Sequence, residues 1–280
     1  MSLRLSAAVA GSLAALASPA LAQDAPADNN SRIIIGGGVA TVPEYEGAGS
    51  NRVVPIPAAI GQVGGFAFTV IGNRASVDLI PNQPGPVLDI QAGPLAVVNF
   101  NRTSIKNISD PRVRALGELD TAIEVGGFVG IGKTGVITSD YDKLTASVSY
   151  RHDVSGVHRS GVWTPSINYM TPLSRKALVG LFASADRVEG KYAQTYFGVT
   201  PAGAVASGLP AFNARGGWKD LTLGGMAGVS LTGDLQNGGL MLIAGGTWRR
   251  LMNDFADTPL TSIAGKRDQF TGAVGLAIGF

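Results

Sequence analysis

The last eleven residues, Phe270-Thr271-Gly272-Ala273-Val274-Gly275-Leu276-Ala277-Ile278-Gly279-Phe280, alternate between two kinds of side chain. Even-numbered positions carry Phe, Gly, Val, Leu, Ile and Phe, whereas odd-numbered positions carry Thr, Ala or Gly. A β-strand sends successive side chains to opposite faces, so this segment has one apolar face and one small or polar face. A membrane barrel consists of segments of about ten residues with this pattern, separated by turns.

The start of the chain predicts export. Residues 1–4 carry a positive charge, residues 5–17 are apolar, and Ala20-Leu21-Ala22 is a small-residue cleavage site. These three parts in order predict a secretory signal peptide over residues 1–22, cleaved after Ala22 and too short to span a bilayer. A polar linker over residues 23–32 then precedes one domain at residues 33–280. The chain has no cysteine, which excludes disulfides and chemistry based on Cys.

Composition narrows the class of protein. Charged residues make up 15% of the chain, and glycine accounts for 39 of 280 residues. Ordinary soluble domains carry about 25% charged residues and about half this share of glycine. After residue 22 the chain lacks an apolar run of about 18 residues, which a membrane-spanning helix needs. An exported apolar chain of this kind is a secreted β protein or a barrel that pairs all its backbone groups. The net charge of +2 offers no electrostatic case for binding nucleic acid.

The connections between predicted strands alternate in length. Short joins near residues 61–64, 133–135 and 173–175 alternate with long joins such as residues 191–214. Outer-membrane barrels have short periplasmic turns, longer external loops and an even number of strands. The alternation requires a hairpin about Gly72-Asn73-Arg74, between strands at residues 66–71 and 75–80. The prediction is therefore an all-β, antiparallel, up-and-down transmembrane barrel of about twelve strands, with ten as the alternative.

Several short motifs occur in the order found in one family. They are Pro43-Glu44-Tyr45-Glu46-Gly47, Arg151-His152-Asp153-Val154-Ser155-Gly156, Tyr196-Phe197-Gly198-Val199-Thr200, Ala206-Ser207-Gly208-Leu209-Pro210-Ala211-Phe212 and the segment from Arg249 to Leu260. With them the chain resembles the MltA-interacting protein (MipA/OmpV) family of outer-membrane proteins. The resemblance implies a barrel in the outer-membrane lipid whose terminal Phe280 is recognised by the barrel-assembly machinery. For the namesake member it also implies a scaffold that joins a lytic transglycosylase to a murein synthase.

Catalytic and metal sites are the less favoured interpretations of the two histidines. His152, Asp153, Ser155 and His158 lie close together in sequence, and Ser/His/Asp triads are recognised by geometry rather than by order. However, the segment around Ser155 is also typical of an ordinary turn. Two histidines six residues apart with one carboxylate match no standard zinc spacing. We therefore expect no catalysis, no metal and no cofactor.

Charges that point into the barrel are the better candidates for function. The alternation predicts six lumen-facing residues: Glu118, Asp120 and Glu124 from one strand, and Arg151, Arg187 and Arg249 from others. Such charges form either a paired network that fills the barrel or a narrow pore whose selectivity they tune. The long loop at residues 191–214 is either functional in itself or folds inward as a constriction.

The sequence thus favours a non-enzymatic structural or scaffolding barrel in the outer membrane, which contacts cell-wall enzymes from the periplasmic side. The surface available for that contact is small, because it comprises only residues 23–32 and the short turns. The alternative function is a narrow solute channel through the charged lumen.

Overall fold

The computed structural model describes residues 32–81 and 88–280 of the chain. Over these residues twelve antiparallel strands form a closed barrel, in which each strand pairs with its neighbours in sequence and the first pairs with the last. The predicted all-β, up-and-down barrel is confirmed, with twelve strands rather than ten. The strands are β1 (Arg32–Pro43), β2 (Asn51–Val63), β3 (Phe66–Ile71), β4 (Arg74–Val77), β5 (Leu88–Asn99), β6 (Ala122–Thr134), β7 (Lys143–Asp153), β8 (Gly161–Pro172), β9 (Ala177–Val188), β10 (Gly217–Ser230), β11 (Gly239–Leu251) and β12 (Asp268–Gly279).

The predicted hairpin that separates a twelve-stranded from a ten-stranded barrel is present. β3 and β4 pair across the two-residue turn Gly72-Asn73. Gly72 has a φ of 57°, a conformation that glycine adopts without strain. β4 ends at Val77, short of the predicted end at Ile80. The reason is that the Asp78 carboxylate accepts the backbone N–H of Ala92 and takes the place of a ladder carbonyl.

The joins lie alternately at the two ends of the barrel, as predicted, but their lengths overlap, because joins 135–142 and 231–238 have eight residues and joins 44–50 and 154–160 have seven. Residues 32 and 280 lie at one end, here the turn end, together with the joins 64–65, 135–142, 173–176 and 231–238. The opposite end, here the loop end, carries the joins 44–50, 100–121, 154–160, 189–216 and 252–267, and the short turn 72–73. Among the described residues, the α-helices all belong to loop-end joins: α1 (Pro111–Arg114), α2 (Gly190–Phe197), α3 (Pro201–Ser207), α4 (Asp254–Asp257) and α5 (Pro259–Ser262).

Local sequence explains where α3 begins and ends. The Thr200 side chain caps the helix by accepting the backbone N–H of Gly203, and Pro201 occupies the first turn. Gly208 then ends the helix in the left-handed conformation, with a φ of 72°.

The outer surface of the barrel is apolar. In β12 the even-numbered side chains point outward, and Phe270 is 63% exposed. The odd-numbered ones point inward, and Gln269 and Ala277 are buried. Exposed Leu, Ile and Val side chains continue this band on the other strands, as expected of a surface that faces lipid. Among the described residues no helix is long and apolar enough to cross a bilayer.

Two predictions about the N-terminal region lie outside the described residues. They are the signal peptide at residues 1–22, with cleavage after Ala22, and the linker up to residue 31. Arg32, the last residue of the predicted linker, begins β1. At the other terminus, Phe280 is exposed and its backbone N–H is bonded to the carbonyl oxygen of Ile33. Its role in barrel assembly stays a prediction.

Candidate functional site

Charged side chains from six parts of the chain meet inside the barrel, in the half nearer the loop end. Together they form what we name the interior ion network: Glu46, Glu124, Arg151, Asp186, Lys219, Asp220 and Arg249. All except Glu46 come from strands β6, β7, β9, β10 and β11. Because buried charges are costly unless they are paired, the pairing is what makes this cluster compatible with a folded barrel.

Glu124 lies at one side of the network and is fully buried. Its neighbours Ile123 and Val125 are exposed on the outer face, which places Glu124 inside. The carboxylate accepts from Arg151 Nε at 2.5 Å and from Asn99 Nδ2 at 3.1 Å. Glu124 therefore joins three neighbouring strands, β5, β6 and β7, across their inner faces.

Lys219 lies at the centre of the network and is 1% exposed. Its ammonium nitrogen is 2.6 Å from Glu46 Oε1, 3.3 Å from Asp186 Oδ2 and 3.4 Å from Asp220 Oδ2. A regular strand would send Lys219 and Asp220 to opposite faces. The register between β10 and β9 shifts between Trp218 and Asp220, so this β-bulge lets both charges face inward.

Glu46 connects the barrel wall to the first loop. Its carboxylate accepts from Lys219, from Arg249 Nη1 at 3.4 Å and from the Tyr192 hydroxyl at 2.9 Å. Burial by itself would raise the pKa of Glu46, but the charges of Lys219 and Arg249 outweigh it and hold that pKa below its usual value of 4.5. Glu46 is therefore ionised, and its carboxylate links loop 44–50 to strands β10 and β11.

The loops at the loop end fold into the barrel mouth. Tyr192, Tyr196 and Phe197 of α2 are buried with Phe255 of α4 in one apolar cluster. The Phe197 and Phe255 rings meet edge to face with centroids 5.0 Å apart. The Thr258 hydroxyl donates to the Phe197 carbonyl oxygen at 2.6 Å and ties the last two loops together. We call this arrangement the loop plug. The loop at 191–214 folds inward, as one of its two interpretations predicts, and a function of the loop itself stays a prediction.

Three of the six predicted lumen charges, Glu124, Arg151 and Arg249, lie inside the barrel and belong to the ion network. Glu118 and Asp120 do not, because β6 begins only at Ala122 and the alternation does not extend back to them. The Glu118 carboxylate instead accepts the backbone N–H of Ile105 within its own loop, and Asp120 is exposed.

The prediction for Arg187 is also corrected. Arg187 is exposed and pairs with the outward residues Trp163 and Trp218, whereas its neighbour Asp186 faces inward. The alternation is weak in this strand, which caused the choice of the wrong face. The sequence did contain a signal for Asp186. Phe182 lies four residues before it and is buried, so counting by twos along the strand from Phe182 places Asp186 on the same inner face.

The residues weighed as a triad or a metal site are separated by the barrel wall or bonded elsewhere. His152 pairs with Val125 on the outward side, whereas His158 is buried with Nε2 3.2 Å from Glu124 Oε1. The Ser155 hydroxyl donates to Asp153 at 2.6 Å. The same carboxylate accepts several backbone N–H groups of the turn that follows, so Asp153 organises a turn. Within the described ranges no group of acidic and histidine side chains is arranged to hold a metal ion.

Some solved structures are similar to the barrel. They include the toluene transporter TodX of Pseudomonas putida (10% identity, 96% of this chain and 93% of that chain, TM-score 0.38). They also include the outer-membrane channel DcaP of Acinetobacter baumannii (10%, 92% and 99%, TM-score 0.40) and a further outer-membrane channel of Pseudomonas putida F1 (12%, 92% and 100%, TM-score 0.43). At these identities and scores, what those channels transport says nothing about this chain. No curated protein matches it.

A family model carries the assignment. The model described as "MltA-interacting protein MipA" matches residues 35–280, which is the whole barrel from the first residues of β1 to the C-terminal Phe280. This match confirms the resemblance drawn from the motifs. The apolar outer band and the match together identify an outer-membrane β-barrel, and the chain belongs to the MipA family.

Proposed function

We propose that this protein is a closed, non-conducting outer-membrane barrel with a structural role, which anchors a periplasmic cell-wall enzyme through its turn end. The observation that carries the proposal is the interior ion network together with the loop plug. Glu46 and Tyr192 reach from two different loops to Lys219 in the wall, so the loop-end half of the lumen is crossed by bonded side chains. A barrel that is filled in this way acts through its surfaces.

The turn end supports the choice of surface. Ile137 and Tyr141 of the join between β6 and β7 are 65% and 60% exposed, and Leu173 of the join between β8 and β9 is 65% exposed. β7 and β8 are paired neighbours, so these joins lie next to each other on the rim. Exposed apolar side chains grouped on one rim are typical of a site for protein contact. This rim faces the periplasm if the chain ends lie there, as in other barrels of this type.

The family description supplies a class of partner. It names an interaction with MltA, a lytic transglycosylase, and the resemblance adds a murein synthase. We propose a murein-cleaving enzyme of this class as the partner and propose no catalytic activity for the barrel itself. The Ser155 hydroxyl and the His158 ring, which a hydrolase would need, are each engaged in turn and wall contacts.

Two measurements test the proposal. First, the refolded mature chain, checked by its heat-dependent shift on a gel, is placed in a planar bilayer. We expect no discrete conductance.

Second, a purified lytic transglycosylase is pulled down with the wild-type barrel, with the triple variant Ile137→Ser/Tyr141→Ser/Leu173→Ser, and with Val205→Ser. Val205 is 89% exposed but lies in α3 at the loop end. We expect binding by wild type and Val205→Ser and loss in the triple variant. Equal binding by all three would refute the turn-end site.

A narrow solute channel is the second candidate, and one observation favours it. Below the ion network, the inner face of β7 continues towards the turn end as a polar strip of Ser149, Ser147, Thr145 and Lys143. Lys143 is paired with Asp89 of β5 at 2.8 Å. A polar strip offers water and ions a path once the network opens. Discrete ion-selective openings that change with Glu124→Gln would favour this function over the structural one.

A further inference from the structure

The barrel interior contains a cavity that the ion network and the loop plug do not fill. It is open on one side, has a volume of about 120 Å³ and lies against the wall formed by β1–β3 and β10–β12. Its larger side chains are Ile56, Ile60, Ile71, Met226 and Ile243. Ile56, Ile60, Met226 and Ile243 lie in the middle of their strands or closer to the turn end, and Ile71, the last residue of the short strand β3, pairs with Ala58 in the middle of β2. The cavity is therefore separate from the charged half of the lumen.

The cavity exists because part of its wall has little or no side chain. Gly36, Gly38, Ala58, Ala273 and Gly275 line it, and their inward positions take up almost no space. At Gly36 the backbone leaves no alternative, since an added Cβ would lie 2.7 Å from the carbonyl oxygen of Leu276 on the paired strand. The close approach of β1 and β12 therefore requires bare backbone here, and the neighbouring alanines do not fill the space that results.

The lining determines what can occupy the cavity. Of the described residues, those that line it carry only Gly, Ala, Val, Ile, Leu or Met side chains. The backbone groups of β1 and its partners are used in the ladders with β2 and β12. A buried water needs two to four polar partners, which this lining does not offer. A charged or strongly polar ligand would lose its hydration without compensation.

We propose that this cavity is a binding site for a small, uncharged, apolar molecule about the size of a single aromatic ring. The expected size follows from comparison, because an enclosed apolar cavity of about 150 Å³ in another protein binds benzene or xenon. The binding energy comes from dispersion contacts with the isoleucines and Met226 and from removal of apolar surface from water. The proposal is independent of the anchoring role, since a barrel with no periplasmic partner would still contain the cavity.

Xenon is the probe that tests the site, because it is apolar, compact and makes no hydrogen bonds. The refolded barrel in detergent is titrated with xenon and followed by xenon NMR. Two variants in β2 are compared with wild type. Ala58→Phe places a ring in the cavity, and Ala59→Phe places the same ring on the outer face, where Ala59 pairs with the exposed residues Ile35 and Val70.

We expect a saturable shift for wild type and Ala59→Phe, and a loss of affinity of about tenfold or more for Ala58→Phe. Equal signals from wild type and Ala58→Phe would mean that xenon dissolves only in the micelle and would overturn the proposal. If Ala58→Phe does not fold, judged by heat-dependent migration, Ala273→Leu in β12, another strand of the lining, takes its place. Xenon-pressurised crystals of the wild-type barrel give a direct answer. Density between Ile56 and Ile243 is expected, and its absence would refute the site.

Discussion

The ammonium nitrogen of Lys219 lies 2.6 Å from Glu46 Oε1, although 173 residues separate the two in sequence. This contact joins a bulge in β10 to the first loop at the loop end, and Asp186, Asp220, Arg249 and the Tyr192 hydroxyl surround it. It is thus the point at which the wall of the barrel and the loop plug hold each other in place.

Replacing Lys219 should destabilise the barrel severely. Lys219→Met leaves the carboxylates of Glu46, Asp186 and Asp220 close together without the cation that pairs them. Removal of one partner from a buried ion pair costs about 3–5 kcal/mol. Lys106→Met, which removes an exposed lysine from another loop at the same end, should leave stability unchanged. The measurement is the free energy of unfolding in urea, with unfolding monitored by the heat-dependent shift on a gel. Equal stability of the two variants would show that the network contributes little.

The barrel should lose stability in acid through Glu46. Its pKa in the folded protein lies below the ordinary value of 4.5, so its contribution is fully present above pH 4.5. The contribution is lost as the pH falls below 4.5 and through the folded pKa, because the folded state then has to take up a proton that the unfolded state already holds. Glu46→Gln should flatten the decline of the unfolding free energy in this range, whereas Glu118→Gln, an exposed change at the same end, should not. Parallel curves for wild type and Glu46→Gln would contradict the assignment.

Neighbouring glycines in β1 should respond differently to the same change. A Cβ added at Gly36 would lie 2.7 Å from the Leu276 carbonyl oxygen, whereas one at Gly37 has its nearest neighbour, the Ile56 carbonyl oxygen, at an ordinary 3.6 Å. Gly36→Ala should therefore push β1 from β12 and cost about 1–3 kcal/mol, as overpacking does. Gly37→Ala should be close to neutral. The measurements are the folded yield and the free energy of unfolding in urea of the two variants. Equal values would show that β1 and β12 can move apart enough to accept a Cβ at Gly36.

Asp142 should control the turn between β6 and β7. Its carboxylate accepts the backbone N–H groups of Val136 at 2.6 Å and Ile137 at 2.8 Å, and the Tyr169 hydroxyl at 2.9 Å. Burial opposes the charge, but these donors hold the pKa of Asp142 below its usual range. Asp142→Ala leaves the donors without an acceptor, at a cost of about 1–3 kcal/mol.

The exposed Asp140 of the same turn provides the control for that prediction. Asp140→Ala should match wild type both in urea unfolding and in resistance of the turn to limited proteolysis. Asp142→Ala should be cleaved faster within residues 135–142. Identical cleavage of the two variants would refute a role for the carboxylate. Because Ile137 and Tyr141 belong to the proposed contact surface, loosening of this turn should also weaken binding of the cell-wall enzyme.

The architecture was largely predictable from the sequence because its determinants are local. Alternation along β12 and β10 gives the two faces of each strand, and the up-and-down order of the strands assigns the joins to the two ends. Gly72-Asn73 decided between ten and twelve strands, since a glycine followed by an asparagine favours a tight turn at any place in the chain. The family followed from short motifs whose order the chain preserves.

The contents of the lumen were only half predictable, and each error lies where the alternation is absent, weak or interrupted. Glu124, Arg151 and Arg249 lie inside regular strands, where counting by twos gives the right face. Lys219 faces inward only because of a bulge, and the count fails at such a position. Glu118 and Asp120 were assigned to the lumen because the start of β6 was placed too early.

By itself, the sequence determined that this chain forms a closed membrane barrel, since alternation and turn chemistry act over a few residues. Only the tertiary structure decided how that barrel is filled. Glu46 and Tyr192 reach Lys219 because two distant loops fold back into the mouth. The apolar cavity arises from bare backbone on the paired strands β1 and β12. Both depend on contacts between residues far apart in the chain, and no local pattern encodes the space that such contacts fill or leave open.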